Sequence, residues 1–248
     1  MMNLFVGTFK RYFWEFKRYF ANTISSIVVI FIIYTMIILG MKNFGSSTAL
    51  EMLGGTAVGY FVWTVVLVSL TDLSWTIMSE MQRGIIEQEF LSPFGPLTVF
   101  MMYEISGLLI SLPLIYGIMV LMFWMAGLPI LLPPSFFIFL LLLMVQSYGI
   151  SFILAGLTLK FKRTNALLQL IQFAVIGLLF FKPSGVLSII VPISPFFHVM
   201  NGIVEGKSPG LGDYVLCIAA SLLWTAIGTY VFGVFEKNVR KLGSLSIY

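Results

Sequence analysis

The sequence predicts an all-α fold: a polytopic integral membrane protein with six transmembrane helices, an N-terminal amphipathic interfacial helix, a short coupling helix, and short re-entrant or surface helices between spans five and six. Two observations carry this reading. Of 248 residues, 59% are hydrophobic and 10% are charged, against roughly 25% charged in a soluble domain, and the mean hydropathy is +1.03. The apolar residues also gather into successive runs, most of them near or above the roughly 20 residues that cross a 30 Å hydrocarbon core. These runs extend through residues 1–248, so the chain is one transmembrane domain without room for a second, soluble one.

Residues 1–22 are too polar to span but strongly periodic. At about 100° per residue, Phe5, Phe9, Tyr12, Phe13, Phe16, Tyr19 and Phe20 share an arc of roughly 120°, and Lys10, Arg11, Glu15, Lys17 and Arg18 lie outside it. The expected element is a helix in the headgroup plane, aromatic face toward the acyl chains and cations toward anionic lipid. Trp14 breaks the pattern by falling on the polar face. The first twenty residues hold no short apolar core followed by a small-residue cleavage site, so no cleavable signal is expected.

Span one is expected at 23–41, followed by a turn from Lys42 through the Gly/Ser run to Thr48, and span two at 53–78. Residues 79–96, SEMQRGIIEQEFLSPFGP, then form a polar island that cannot cross a bilayer. About two helical turns fit inside it: Gly84 is expected to start them, Ile86 and Phe90 fall four apart on one face, and Pro93 stops them. Span three, 97–127, exceeds one straight crossing, and Pro113 permits a kink or a break. Span four covers 136–159 and span five 167–181. Residues 182–213 are neither apolar enough to span nor polar enough for a free loop, which suggests short extracytoplasmic helices broken at Pro183, Pro192 and Pro195. Span six covers 214–235.

Charge orients this arrangement. With both termini inside, eleven of the fourteen Lys and Arg residues face the cytoplasm, and only Lys42, Lys182 and Lys207 lie outside. That satisfies the positive-inside rule and makes the island cytoplasmic. The net charge of +4 is explained by this topology, so no nucleic acid is implied.

The island's sequence resembles the cytoplasmic coupling segment of ATP-binding-cassette (ABC) exporter permeases of the second type. That family's pattern runs roughly Glu-x-x-x-Gly-Thr-Leu-Glu-x-x-x-x-x-Pro, and Glu80, Gly84, Glu87 and Pro93 stand in the matching places, with Ile85 where Thr is common. The stretch 156–164, GLTLKFKRT, resembles the family's close of span four, and Gly185, Pro192 and Pro195 loosely match its helices before span six. The resemblance implies a permease subunit moving an amphiphile (drug, lipid or polysaccharide-lipid) out across the cytoplasmic membrane. It implies two copies of the chain as a homodimer and a separate ATPase subunit, which binds ATP and Mg while this chain holds no cofactor. Glu80, Arg83, Gly84, Ile86, Glu87, Phe90 and Pro93 would then couple to the ATPase, and Trp14 would pack against it. The alternative is an ATPase-independent channel or a structural scaffold, with the island as an ordinary loop.

Within the spans, Asp72 and Glu104 lie about two turns from the island on helices that it joins. Buried carboxylates are expensive in lipid, so they are read either as lining a pathway or pairing with Arg83, or as hydrated at the interface. The family more often shows a base or a neutral residue near Glu104, and no role is carried over to it. Gln169 and Gln172 are candidates for a dimer seam or a polar pathway stripe, and Gln146 for interhelical bonding of roughly 1 kcal/mol.

Catalytic chemistry is not expected. Gly206-Lys207-Ser208 resembles the end of a phosphate loop, but Asn201 stands where its first Gly belongs. His198 is the only histidine and Cys217 the only cysteine, so no catalytic or metal constellation and no internal disulfide is expected.

Overall fold

The computed structural model describes residues 2–45, 52–180 and 187–242. The turn at 46–51, the positions Lys182, Pro183 and Gly185, and the tail from 243 lie outside the described residues. Among the described residues the chain forms ten helices and no strand: α1 Met2–Arg18, α2 Phe20–Phe44, α3 Leu53–Arg83, α4 Ile86–Phe90, α5 Pro96–Ala126, α6 Pro134–Phe161, α7 Asn165–Phe180, α8 Leu187–Ile190, α9 Ser194–Val204 and α10 Leu211–Leu242.

Five of these, over Phe20–Asn43, Leu53–Arg83, Pro96–Ala126, Pro134–Phe161 and Leu211–Lys241, are long and apolar enough to cross a membrane. Helix α7, at the place expected for span five, is described over 16 residues, about 24 Å at the helical rise. Helix α5 runs continuously through Pro113, so of the kink or break that the sequence permitted the break does not occur. The segment expected to hold short helices contains α8 and α9, and Pro195 opens α9 where the sequence suggested a break.

Helix α6 is central, with α10 along one side and α3 along the other. Contact between α6 and α10 is nearly backbone to backbone, because Gly149 faces Thr225 and Gly228 and leaves no room for a side chain. Small residues permit this approach in a medium where the hydrophobic effect gives helices no reason to associate. At one end of the bundle Phe61, Phe123 and Phe136 pack with ring centroids 5.9 to 6.2 Å apart. Helix α2 clips onto the last turn of α5: the Tyr34 hydroxyl donates to the Met122 carbonyl at 2.6 Å and Lys42 Nζ to the Met125 carbonyl at 2.9 Å. Cations are stabilising at such exposed carbonyls.

Between α8 and α9 the chain turns at Ile193, whose φ of 73° is strained for a β-branched residue. Its buried N–H donates to Gln146 Oε1 at 3.0 Å. Gln146 is thus a loop clamp, and both groups are fully buried. Gln146→Leu leaves that N–H without an acceptor. The expected loss is about 1–3 kcal/mol, read as a lower thermal midpoint in detergent; an unchanged midpoint would refute the clamp.

Candidate functional site

The island is built by the way α3 ends. Gly84 takes φ 69°, its N–H donates to the Met81 carbonyl at 3.2 Å, and the Ile85 N–H donates to the Glu80 carbonyl at 2.9 Å. This pair of bonds is a Schellman stop, which favours glycine because only glycine adopts φ > 0 without cost. Gly84 therefore closes the long helix, where the sequence pattern suggested that it opened the short one, and Ser79 to Arg83 are the last turn of α3. The short helix α4 begins two residues later and ends at Phe90, so Pro93 lies in the following turn.

Ile86 and Phe90 share one face of α4, as their spacing predicts, and that face is buried. Both belong to an apolar cluster with Ile77, Met81, Phe100, Leu159 and Val239, which ties the island to α3, α5, α6 and α10. Arg240 of α10 lies over the Phe90 ring at 5.3 Å. Gln82, Arg83, Glu87, Gln88 and Leu91 are exposed on the island's other side, and Leu91 keeps 84% of its surface.

A charged knot joins α1 to this island. Arg11 ion-pairs with Glu80 at the end of α3, with Glu89 of α4 and with Glu15 one turn along its own helix. Its guanidinium lies 5.8 Å from the Tyr103 ring centroid. Burial disfavours the guanidinium charge, but Glu80, Glu15 and Glu89 more than offset this, so the Arg11 pKa is held above its ordinary value. Tyr103 of α5 donates to Glu15 Oε2 at 3.1 Å and accepts from Thr76 Oγ1 at 3.2 Å. Beside it the Tyr12 hydroxyl donates to Asp72 Oδ2 at 3.2 Å. Burial, and then the Asp72 charge, raise the Tyr12 pKa, so its hydroxyl keeps the proton that it donates. The Tyr12 ring fits over Gly107, whose missing side chain makes the space.

This arrangement corrects one expectation. Arg11 and Glu15, read from periodicity as headgroup-facing, turn into the protein, because three helices present Glu80, Glu89 and Tyr103 to them. Trp14 remains exposed, with Lys17 Nζ 5.2 Å from its ring. Arg83 donates to the Tyr19 hydroxyl at 3.4 Å, and among the described residues it pairs with neither Asp72 nor Glu104. Glu104 is buried, where a hydrated interface had been one reading, and it accepts from Ser151 Oγ at 3.3 Å. The two glutamines of α7 diverge. Gln172 donates to Thr71 Oγ1 at 3.2 Å, whereas Gln169 is exposed.

Sequence reasoning missed Arg11, Tyr12, Glu15, Glu89 and Tyr103 as parts of one site. The signal was faint: an i,i+4 Arg/Glu pair on a helix, and an island with three acids against one Arg. The Gly206-Lys207-Ser208 motif is a second Schellman stop. Gly206 has φ 86°, and the N–H groups of Gly206 and Lys207 cap the Ile203 and Gly202 carbonyls. Among the described residues no group of three or more His, Cys, Asp or Glu side chains is placed to hold a metal ion.

Fold and composition together define an all-helical, multi-pass membrane protein. Compared with protein-family profiles, with characterised proteins and with solved structures, the chain matches none.

Proposed function

We propose that this chain is the permease subunit of an ABC exporter of the second type, in the cytoplasmic membrane with both termini inside. In this reading α7 completes a sixth crossing, two copies of the chain form the translocation unit, and a separate ATPase docks beneath each. ATP binding and hydrolysis occur in that partner, and the cargo is an amphiphile.

One observation carries the reading: the island has a buried face and a free face. Ile86 and Phe90 anchor α4 to four helices, while Glu87, Gln88 and Leu91 project outward. A short helix held in this way transmits a push on its outer face to the bundle, because its inner face is close-packed and cannot yield alone. Arg11 extends the same body to α1, so a push on either element reaches both.

The test is co-purification in mild detergent with a candidate ATPase, comparing the wild type with Glu87→Arg. Glu87 is exposed, so its reversal leaves the fold intact. The wild type is expected to retain the ATPase, and Glu87→Arg to lose at least about tenfold in affinity, equivalent to roughly 1.4 kcal/mol. Gly84→Pro removes the Schellman stop, since proline fixes φ near −65°, and is expected to abolish coupling. A wild type that captures no ATPase, or a Glu87→Arg variant that captures it equally well, would leave the chain to be tested alone for passive flux.

A further inference from the structure

A cavity of about 580 Å³ opens between α1, α2, α3, α5 and α7. Its size falls in the range of small-molecule sites, roughly 300–1,000 Å³. Along α3 it reaches from Phe61 to Trp75, fourteen residues or about 21 Å of helix. The end nearer the island is polar, with Asp72, Asn22 and Gln172 in its wall, and the remainder is lined mostly by apolar side chains such as Ile30, Val65, Ile115 and Ile118, with the hydroxyls of Ser26, Thr64 and Ser111 among them.

Among the described residues Asp72 is the only charged one in this lining. It accepts one hydrogen bond from Tyr12 and, among the described residues, forms no ion pair. Arg11, next to Tyr12 on α1, is committed to Glu80, Glu89 and Glu15. A carboxylate at membrane depth without a cation leaves the polar end of the cavity complementary to positive charge. Trp75 stands beside it, 40% exposed, and an indole face adds cation-π attraction. Val68, also in the wall, is 43% exposed, so the cavity borders the surface that faces lipid.

We propose that this cavity binds a lipophilic cation, its charged centre on Asp72 and its apolar body against α2, α3 and α5. As a statement about cargo this rests on the transport reading above; as a statement about binding it stands alone.

The experiment uses the purified full chain in dodecyl maltoside with no ATPase present and measures equilibrium binding of labelled tetraphenylphosphonium. The expected result is saturable binding that Asp72→Asn weakens by at least about 30-fold, the loss that follows removal of one partner from a desolvated charge pair. Asp72→Glu retains binding, and Ile115→Trp, which fills the cavity and leaves the carboxylate in place, abolishes it. Thermal midpoints verify that each variant is folded. Equal affinity in Asp72→Asn, or equally tight binding of tetraphenylborate, which has the same shape and the opposite charge, would overturn the proposal. Lysophosphatidylcholine serves as competitor: displacement assigns the site to lipid headgroups carrying a quaternary ammonium, and lack of displacement assigns it to free lipophilic cations. Because no ATPase is present, failure to bind removes the cavity reading alone, and failure to capture an ATPase removes the coupling reading alone.

Discussion

Gly228→Ala is expected to eliminate the folded chain from detergent extracts. A Cβ built on Gly228 lies 1.8 Å from the Gly149 carbonyl oxygen, and one built on Gly149 lies 2.6 Å from the Thr225 backbone nitrogen. Both obstacles are backbone, so no rotamer change relieves them, and α6 and α10 must separate along their whole seam. That separation opens the bonds from Ser221 Oγ to the Leu142 carbonyl at 2.9 Å and from Thr225 Oγ1 to the Val145 carbonyl at 3.4 Å. It also loosens the packing of Phe232 against Phe100 and Phe152. The cost is about 3 kcal/mol or more, the upper end for overpacking, and a large part of a typical total stability. Gly233 is the internal control. It lies in the same helix, and a Cβ there meets nothing within 4 Å. Gly233→Ala is therefore expected to be neutral or to stabilise by about 0.5–1 kcal/mol through helix propensity. Size-exclusion profiles and thermal midpoints of the two variants decide the matter. A monodisperse Gly228→Ala protein melting with the wild type would show that α6 and α10 do not meet as described.

Arg11→Ala is expected to free α1 from the bundle. It leaves Glu15, Glu80 and Glu89 facing one another with no cation, and Glu80 keeps only 4% of its surface. Breaking a buried pair by removing one partner costs about 3–5 kcal/mol. Arg11 is 32% exposed at its side chain, so water screens part of this and about 2–3 kcal/mol is the expected loss. Arg11→Lys keeps the charge but loses the planar fork that reaches several carboxylates at once, and is expected to fall between. The charge exchange Arg11→Glu with Glu80→Arg is expected to recover part of the loss, giving a coupling energy in a double-mutant cycle. Protease sensitivity within residues 2–18 reports release of α1 directly. If Arg11→Ala and the wild type have the same midpoint and the same protease pattern, the Arg11 ion pairs do not hold α1 in place.

Much of this molecule is legible in the sequence for a simple reason. Lipid forces each crossing segment to satisfy its own backbone hydrogen bonds, so apolar length alone locates α2, α3, α5, α6 and α10. Local rules also place the buried pair Ile86 and Phe90, since four-residue spacing is a property of one helix. Local rules misplace the role of Gly84, because glycine ends one helix as readily as it precedes another, and the continuous turn from Ser79 to Arg83 is supported by packing of Ile77 and Met81.

The sequence by itself determined the class of protein, five long apolar spans and the island between two of them, all of which follow from hydropathy and helical period along a single segment. The tertiary structure alone decided where the charges go. Arg11 and Glu15 look like headgroup contacts when α1 is considered in isolation, and only the convergence of α3, α4 and α5 makes the inward direction more favourable for them. The same holds for Asp72 and Glu104. Both are acids about two turns from the island in sequence, yet one lines a cavity between five helices and the other is enclosed beside Ser151. The energy of a charge in a low-dielectric medium is set by neighbours within a few ångströms, and residues separated by up to a hundred positions supply those neighbours.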